Sequence, residues 1–291
     1  GYGLRPGVSP YPDYSQPSHD QAYKVVRLLE QHHGVEEVMP PRMADLDRTG
    51  CGDVPNILDA LLRTYISTQC NVDASNAALQ SLRRVYGVRN GSPDWYAVLQ
   101  GSPEQLRDAL KSCGMQMMKA RNILRTLRMV WDDEQERQTT PEADGDLSKG
   151  DRDHEKQYDN VMIGFLDYIH SVDDSYEAME KMLQFPGMGI KVTACVALFS
   201  MGRPVFAVDT HVDRLCKYLG WVPDEKTAKP KLTAERVFAH CDVRLPGDTK
   251  YKLHQLFWKH GRECFRCKEK TTPASTEWSM VKCPIEHLVD R

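Results

Sequence analysis

Residues 183–212 read LQFPGMGIKVTACVALFSMGRPVFAVDTHV. Within them Phe185-Pro186-Gly187-Met188-Gly189 is a tight glycine turn. Pro186 presets the turn, and glycine at 187 and 189 tolerates φ > 0 and a close approach of the backbone to a ligand. Tyr176, Met179, Met182 and Leu183 recur at helical spacing before the turn. Val192 to Leu198 continue apolar after it, with no Gly or Pro until Gly202. The spacing predicts helix, glycine hairpin, helix. The first amides of the second helix lack an internal partner and stand at the positive end of its dipole, which makes a seat for a phosphate. A plain corner between two helices would use the same glycines.

Lys191 sits just behind the hairpin, in the first turn of the second helix, a poor place for a cation. A neutral amine can attack carbon and form a Schiff base; a solvated surface lysine is the ordinary alternative. Eighteen residues later comes Asp209, after the apolar run Val205-Phe206-Ala207-Val208 and before a predicted helix over 211–219. As an N-cap it would bond its own helix amides. The same carboxylate suits a site where positive charge develops on a sugar or a nucleophile is activated.

Together these residues resemble the helix-hairpin-helix (HhH-GPD) DNA glycosylase superfamily, in particular its endonuclease III-like branch. That family's pattern is Leu-Pro-Gly-Val-Gly-x-Lys followed by Val-Asp-Thr-His; here Phe185 replaces the leucine and Met188 the valine. The likeness runs roughly from residue 50 to 290. It implies that Lys191 is the Schiff-base lysine, that Asp209 is the catalytic aspartate, and that Gly187, Met188 and Gly189 contact DNA. Two weaker likenesses extend it. Ser67-Thr68-Gln69-Cys70-Asn71 is similar to the segment whose glutamine enters the gap left by a flipped base. Gly114-Met115-Gln116-Met117-Met118-Lys119-Ala120 is similar to the segment with an apolar wedge, which would be Met115. A polar residue ending a helix and an apolar loop residue packing locally are the plain alternatives for Gln69 and Met115.

The resemblance implies an all-α fold of two helical domains with a DNA-binding cleft between them: a hairpin-bearing bundle over 52–203, and a second domain made of 1–51 plus 204–291. The expected activity is that of a bifunctional DNA glycosylase and abasic-site lyase. The expected partner is double-stranded DNA containing a modified base or an abasic site, with the protein a monomer and the nucleus its setting. Likeness to endonuclease III points to oxidised pyrimidines. Asp94-Trp95-x-Ala97-Val98, Gly114-Met115 and Gly220-Trp221-Val222-Pro223 are also similar to stretches of plant 5-methylcytosine glycosylases, which keeps that base second. A non-catalytic hairpin DNA-binding protein would not need Lys191 and Asp209 together, and a monofunctional glycosylase would lack the lysine.

The 291 residues suffice for one large or two smaller cores. Strand-like alternation is nearly absent while helical spacing recurs. Besides the hairpin pair and 211–219, helices are expected near 19–33, from Pro55 through the apolar face of Ile57, Leu61 and Tyr65, and near 72–86, 93–99, 103–112, 117–131, 158–170, 232–240 and 248–260. Residues 1–20 read as an extended arm. No run of about twenty apolar residues offers a membrane span, and no signal-peptide pattern is present. A first residue that is Gly rather than Met leaves an upstream targeting segment open. The formal charge of −3 looks wrong for a DNA binder. However, residues 132–160 carry eleven Asp or Glu against four Lys or Arg, which leaves the rest of the chain at +4. That segment is polar and is expected to be a disordered loop.

Nine cysteines, an odd number with no secretory mark, argue against a disulfide framework. Cys51, Cys70, Cys113, Cys195, Cys216 and Cys241 are scattered and read mostly as small buried apolar residues. Cys264 and Cys267 form a CxxC, and Cys283 is followed at CxxxH spacing by His287. The endonuclease III-like branch ends with a four-cysteine iron–sulfur motif after His-Gly-Arg, and His260-Gly261-Arg262 is present here. The spacing departs from that motif, and Val289 stands where its last cysteine would fall. Three readings stay open: structural zinc on Cys264, Cys267, Cys283 and His287, which matches zinc spacing and leads; an iron–sulfur cluster with His287 as a ligand; and a vestige with no metal.

Overall fold

The computed structural model describes residues 7–34, 48–50, 54–139, 162 and 164–290. Among them the helices are α1 (His19–His33), α2 (Ile57–Ser67), α3 (Val72–Tyr86), α4 (Trp95–Gln100), α5 (Pro103–Ala109), α6 (Gln116–Thr139), α7 (Ser175–Leu183), α8 (Ile190–Cys195), α9 (Thr210–Tyr218), α10 (Ala234–Arg244), α11 (Gly247–Glu263) and α12 (Thr276–Met280). Their starts are written in the sequence. Ser18 and Gln21 close a capping box on α1. Asn56, Asn71, Asp94 and Ser102 cap α2 to α5, with Pro103 in the first turn of α5. Among the described residues no helix is long and apolar enough to cross a membrane.

The chain divides into two compact units. One holds, of the described residues, 48–173 and 180–192. Its centre is α2, buried from Ile57 to Ile66 on every side. That burial includes Asp59 and Arg63, one turn apart and joined at 2.8 Å. A buried charge must have partners. Asp59 also accepts from Trp95 Nε1 at 3.1 Å and from Ser92 Oγ, and Arg63 donates to Gly91 O at 3.2 Å and Arg48 O at 3.0 Å. Burial pushes the Asp59 carboxyl up, against Arg63 and these donors, which pull it down. The pair thereby fixes a small hairpin, β1 (Val88–Arg89) and β2 (Ser92–Pro93), and the start of α4 against α2. Helices α3, α5 and α6 complete this core.

The other unit holds the described residues 7–34, 174–179 and 193–290. Here α11 packs against both α1 and α9. The N-terminal arm lies on α10: Ser9 Oγ and Gln16 O meet the two ring nitrogens of His240 at 2.7 and 2.6 Å. Tyr11 and Tyr14 donate to Pro230 O and Gly220 O. The chain passes from the first unit to this one at 192/193. There the buried run after Val192 continues α8 as a π-helical turn, Val196–Ser200, packed inside this unit.

Two expected elements differ. Helix α6 does not stop at 131 but runs through the acidic residues to Thr139. Asp133 and Glu134 pair with Arg137, whose guanidinium lies 4.2 Å from the Tyr168 ring centroid, so charge that suggested a loop is laid along a helix. The remainder of the predicted loop, 140–160, lies outside the described residues. Of the helix expected over 158–170, residues 158–161 and 163 lie outside the described residues, and the described part shows a 3₁₀ turn, Asp167–Ser171. Gly164 at φ +98° breaks the spacing, and Asp167 serves instead as acceptor for Ile57 N and Asn56 Nδ2 at the start of α2.

Candidate functional site

The glycine turn joins α7 to α8 as predicted. Phe185, Met188 and Ile190 are buried, which fastens the turn to its unit. Gly187 has φ +83°, and a β-carbon there would stand 2.6 Å from Tyr65 Cε2 and 2.8 Å from Asn122 Nδ2. Glycine is therefore required twice, by conformation and by space. Asn122 Nδ2 also donates to Tyr65 OH at 2.7 Å, so α2 and α6 jointly brace the turn. Met188 N bonds Phe185 O and Gly189 N bonds Gly187 O, both at 3.1 Å. Because the Met188 side chain is buried, only its backbone could meet DNA. Lys191, one residue into α8, is solvent-exposed.

Asp209 belongs to the other unit. The extended stretch before it is held by buried polar groups. Asp242 accepts from Phe206 N at 2.6 Å, Lys250 Nζ donates to Pro204 O at 2.7 Å and to Asp242 at 2.8 Å, and His254 Nδ1 lies 2.8 Å from Ala207 O. Tyr176 OH also donates to Asp242, and its pKa is raised by burial and by that carboxylate. So anchored, Asp209 caps α9: Oδ1 accepts from His211 N and Val212 N, each at 2.8 Å. Among the described residues its Oδ2 has no hydrogen-bond partner.

Gln69 and Met115 lie in neighbouring loops of the hairpin-bearing unit. Both adopt the left-handed region, φ 49° and 61°, which is uncommon for side chains of this size. Both are exposed, Met115 at 43%. The loops touch at Gly114, where a β-carbon would stand 3.4 Å from Gln69 O. Below them Lys119, buried, donates to Ile66 O and Thr68 O, both at 2.8 Å, and burial lowers its pKa. Non-glycine residues held in the left-handed region cluster at active sites and ligand clamps. The sequence reading missed Lys119, although it falls inside the quoted segment. On the same unit Arg107, Arg121, Arg125 and Arg128 line an open groove along α5 and α6.

The C-terminal cysteines come together, but not with the expected histidine. Cys264, Cys267 and Cys283 gather with His260, all four buried, their ligand atoms within 4.8 Å of one another. His287 is exposed on a 3₁₀ turn and is not part of the group. The correction follows from helix geometry: His260 precedes Cys264 by one turn on α11, and the Cys264 amide closes on His260 O. Cys267 Sγ is 3.7 Å from Cys283 Sγ, and Cys283 Sγ is 3.4 Å from His260 Nε2. Hydrogen bonds from Cys267 and Cys283 drive the Cys264 pKa down, while Cys283 is driven up by Cys264 and Cys267. On the far side His260 Nδ1 lies 2.8 Å from His33 Nε2, and His33 Nδ1 lies 3.4 Å from Glu263. Arg214 on α9 donates to Cys267 O and Gly261 O at 2.9 Å, tying the cluster to the helix that Asp209 caps. Of the other cysteines, Cys113, Cys195, Cys216 and Cys241 are buried, Cys70 is half-buried, and Cys51 lies outside the described residues.

A family profile described as HhH-GPD superfamily base excision DNA repair protein matches residues 62–239. A putative DNA glycosylase of Arabidopsis thaliana is 26% identical over 98% of this chain and 90% of its own length. Endonuclease III of Thermotoga maritima is 27% identical over 60% of this chain and 61% of its own. The DNA glycosylase/AP lyase ROS1 of Arabidopsis thaliana is 40% identical over 58 residues, 20% of this chain and 4% of that protein. Among solved structures, a trapped endonuclease III–DNA covalent intermediate matches with TM-score 0.60 at 19% identity, covering 94% of this chain and 96% of that one. At that identity the likeness is one of fold.

Proposed function

This chain belongs to the endonuclease III-like HhH-GPD superfamily of base excision DNA repair proteins, and from that premise we propose that it is a bifunctional DNA glycosylase and abasic-site lyase. Its substrate on this reading is nuclear double-stranded DNA with an oxidised pyrimidine. The observation that carries the reading is the pair Lys191 and Asp209: an amine exposed directly behind a braced turn, and a carboxylate with one oxygen not consumed by its cap.

The modified nucleotide leaves the duplex stack, and Met115 and Gln69 fill the space it vacates. The turn of Gly187, Met188 and Gly189 seats a backbone phosphate, exchanging its own short-range amide bonds for the anion. Lys191 Nζ bonds to the sugar C1′ as the C1′–N bond to the base breaks, and the base departs with the proton the amine sheds. The Asp209 carboxylate stabilises the positive charge that develops on the sugar meanwhile. The sugar ring opens to a C1′ imine on Lys191. Loss of a C2′ proton then expels the 3′ phosphate by β-elimination, and water releases the lysine. The arginine groove of α5 and α6 suits a polyanion.

Two of the three stretches similar to 5-methylcytosine glycosylases have packing roles, while the third, Gly114-Met115, is exposed. Asp94 caps α4, Trp95 donates to the buried Asp59, and Trp221 packs against Phe257 with ring centroids 5.4 Å apart and tilted by 43°. The likeness to endonuclease III keeps oxidised pyrimidine first in this reading. Duplexes carrying oxidised pyrimidines, 5-methylcytosine or an abasic site test the reading. Strand nicking at the oxidised pyrimidine and abasic site is expected. Base release without nicking would make the enzyme monofunctional, and binding without either would leave a non-catalytic DNA-binding protein.

A further inference from the structure

We propose that His260, Cys264, Cys267 and Cys283 bind one zinc ion in a tetrahedral site of three sulfurs and one nitrogen. With Zn–S near 2.3 Å and Zn–N near 2.0–2.1 Å, tetrahedral angles put two sulfurs about 3.8 Å apart and a sulfur about 3.5 Å from the nitrogen. The Cys267–Cys283 and Cys283–His260 separations are 3.7 and 3.4 Å. A sulfur pair at that distance is far outside disulfide bonding, and all the thiols are free. These two separations match what one ion of this size demands, and all four donor atoms lie within 4.8 Å of one another.

The iron–sulfur cluster implied by the resemblance to the endonuclease III-like branch does not fit. A four-iron cluster takes each ligand on a different iron, so its ligand atoms must stand outside the whole cluster. Here all four lie within 4.8 Å of one another. The group also has three cysteines, with Val289 where the last would fall. Soft thiolates with one imidazole select zinc among common divalent ions.

The surroundings are those of a ligand histidine. His260 aims Nε2 at Cys283 and Nδ1 at His33 Nε2, 2.8 Å away, and Glu263 stands behind His33. A chain of carboxylate, imidazole and ligand imidazole fixes the ring and its tautomer. The metal would close the 268–282 insert onto the end of α11. Through Arg214 it would also stiffen the contact with α9.

The test uses the full chain, expressed with both zinc and iron supplied and purified without chelators. About one zinc per chain, no iron and a colourless solution are expected. His287→Ala keeps the zinc; His260→Ala and Cys267→Ser lose it. Because those two variants could fail to fold, wild-type protein stripped of metal is also titrated with cobalt(II). Visible bands of tetrahedral thiolate coordination, displaced by zinc, are expected. Iron with sulfide in the purified protein, absence of any metal together with no cobalt bands, or zinc lost in His287→Ala but kept in His260→Ala would each overturn the proposal.

Discussion

Gly187 lies so close to Tyr65 that a β-carbon on the glycine would stand 2.6 Å from Tyr65 Cε2. The turn that precedes Lys191 is therefore set by a residue of the central helix α2 and not by local sequence alone. Gly187→Ala adds the strain of a left-handed side chain, about 1–2 kcal/mol, to overpacking of about 1–3 kcal/mol. A loss of about 2–5 kcal/mol in denaturant unfolding is expected, with a marked fall in affinity for duplex DNA. An alanine variant as stable as the parent would show that Tyr65 does not brace the turn.

Lys119 holds the two left-handed residues Gln69 and Met115 in place from beneath. Lys119→Met keeps the stem but removes the ammonium donor from Thr68 O and from Ile66 O, which keeps only the weak Cys113 Sγ contact at 3.7 Å. Loss of these charged hydrogen bonds, about 1.5–3 kcal/mol for one in a buried setting, should shift thermal unfolding downward. Single-turnover excision from a duplex should slow more than cleavage of a single-stranded abasic oligonucleotide, which needs no filling of a vacated stack. Equal slowing of both would place Lys119 in general stability only.

Asp209 has two duties, and its two oxygens separate them. Asp209→Asn keeps an oxygen to accept from His211 N and Val212 N, so stability should change little. Base excision should fall by about 10²–10³-fold, the usual effect of removing one partner of transition-state charge. A folded Asn variant that excises at the parental rate would confine Asp209 to capping.

Much of this was legible in the sequence because local rules and tertiary needs agree. Ser18, Asn56, Asn71 and Asp209 start helices where their types prescribe, and the Pro186–Gly187 turn falls where the spacing put it. The misreadings arose where one pattern serves two structures. The run from Asp132 to Arg137 has a loop's charge and a helix's i,i+4 pairing, and contact with Tyr168 decides for the helix. Met162, Leu166 and Ile169 have helical spacing, but Gly164 breaks the helix between them. His287 has the right spacing after Cys283, yet the histidine gathered with the three cysteines is His260, one helical turn before Cys264. The HGREC stretch carries that helical spacing. The π-helical turn after α8 has no signature in a run that is simply apolar.

The central claim is that Lys191 forms a covalent imine with the sugar. Incubating the protein with a duplex bearing an abasic site or an oxidised pyrimidine, in the presence of borohydride, should leave a protein–DNA adduct that survives denaturing electrophoresis. Lys191→Gln should abolish the adduct while retaining most of the affinity for the duplex. Undiminished trapping in a folded Lys191→Gln protein, or no trapping by the parent on any of these duplexes, would contradict the account.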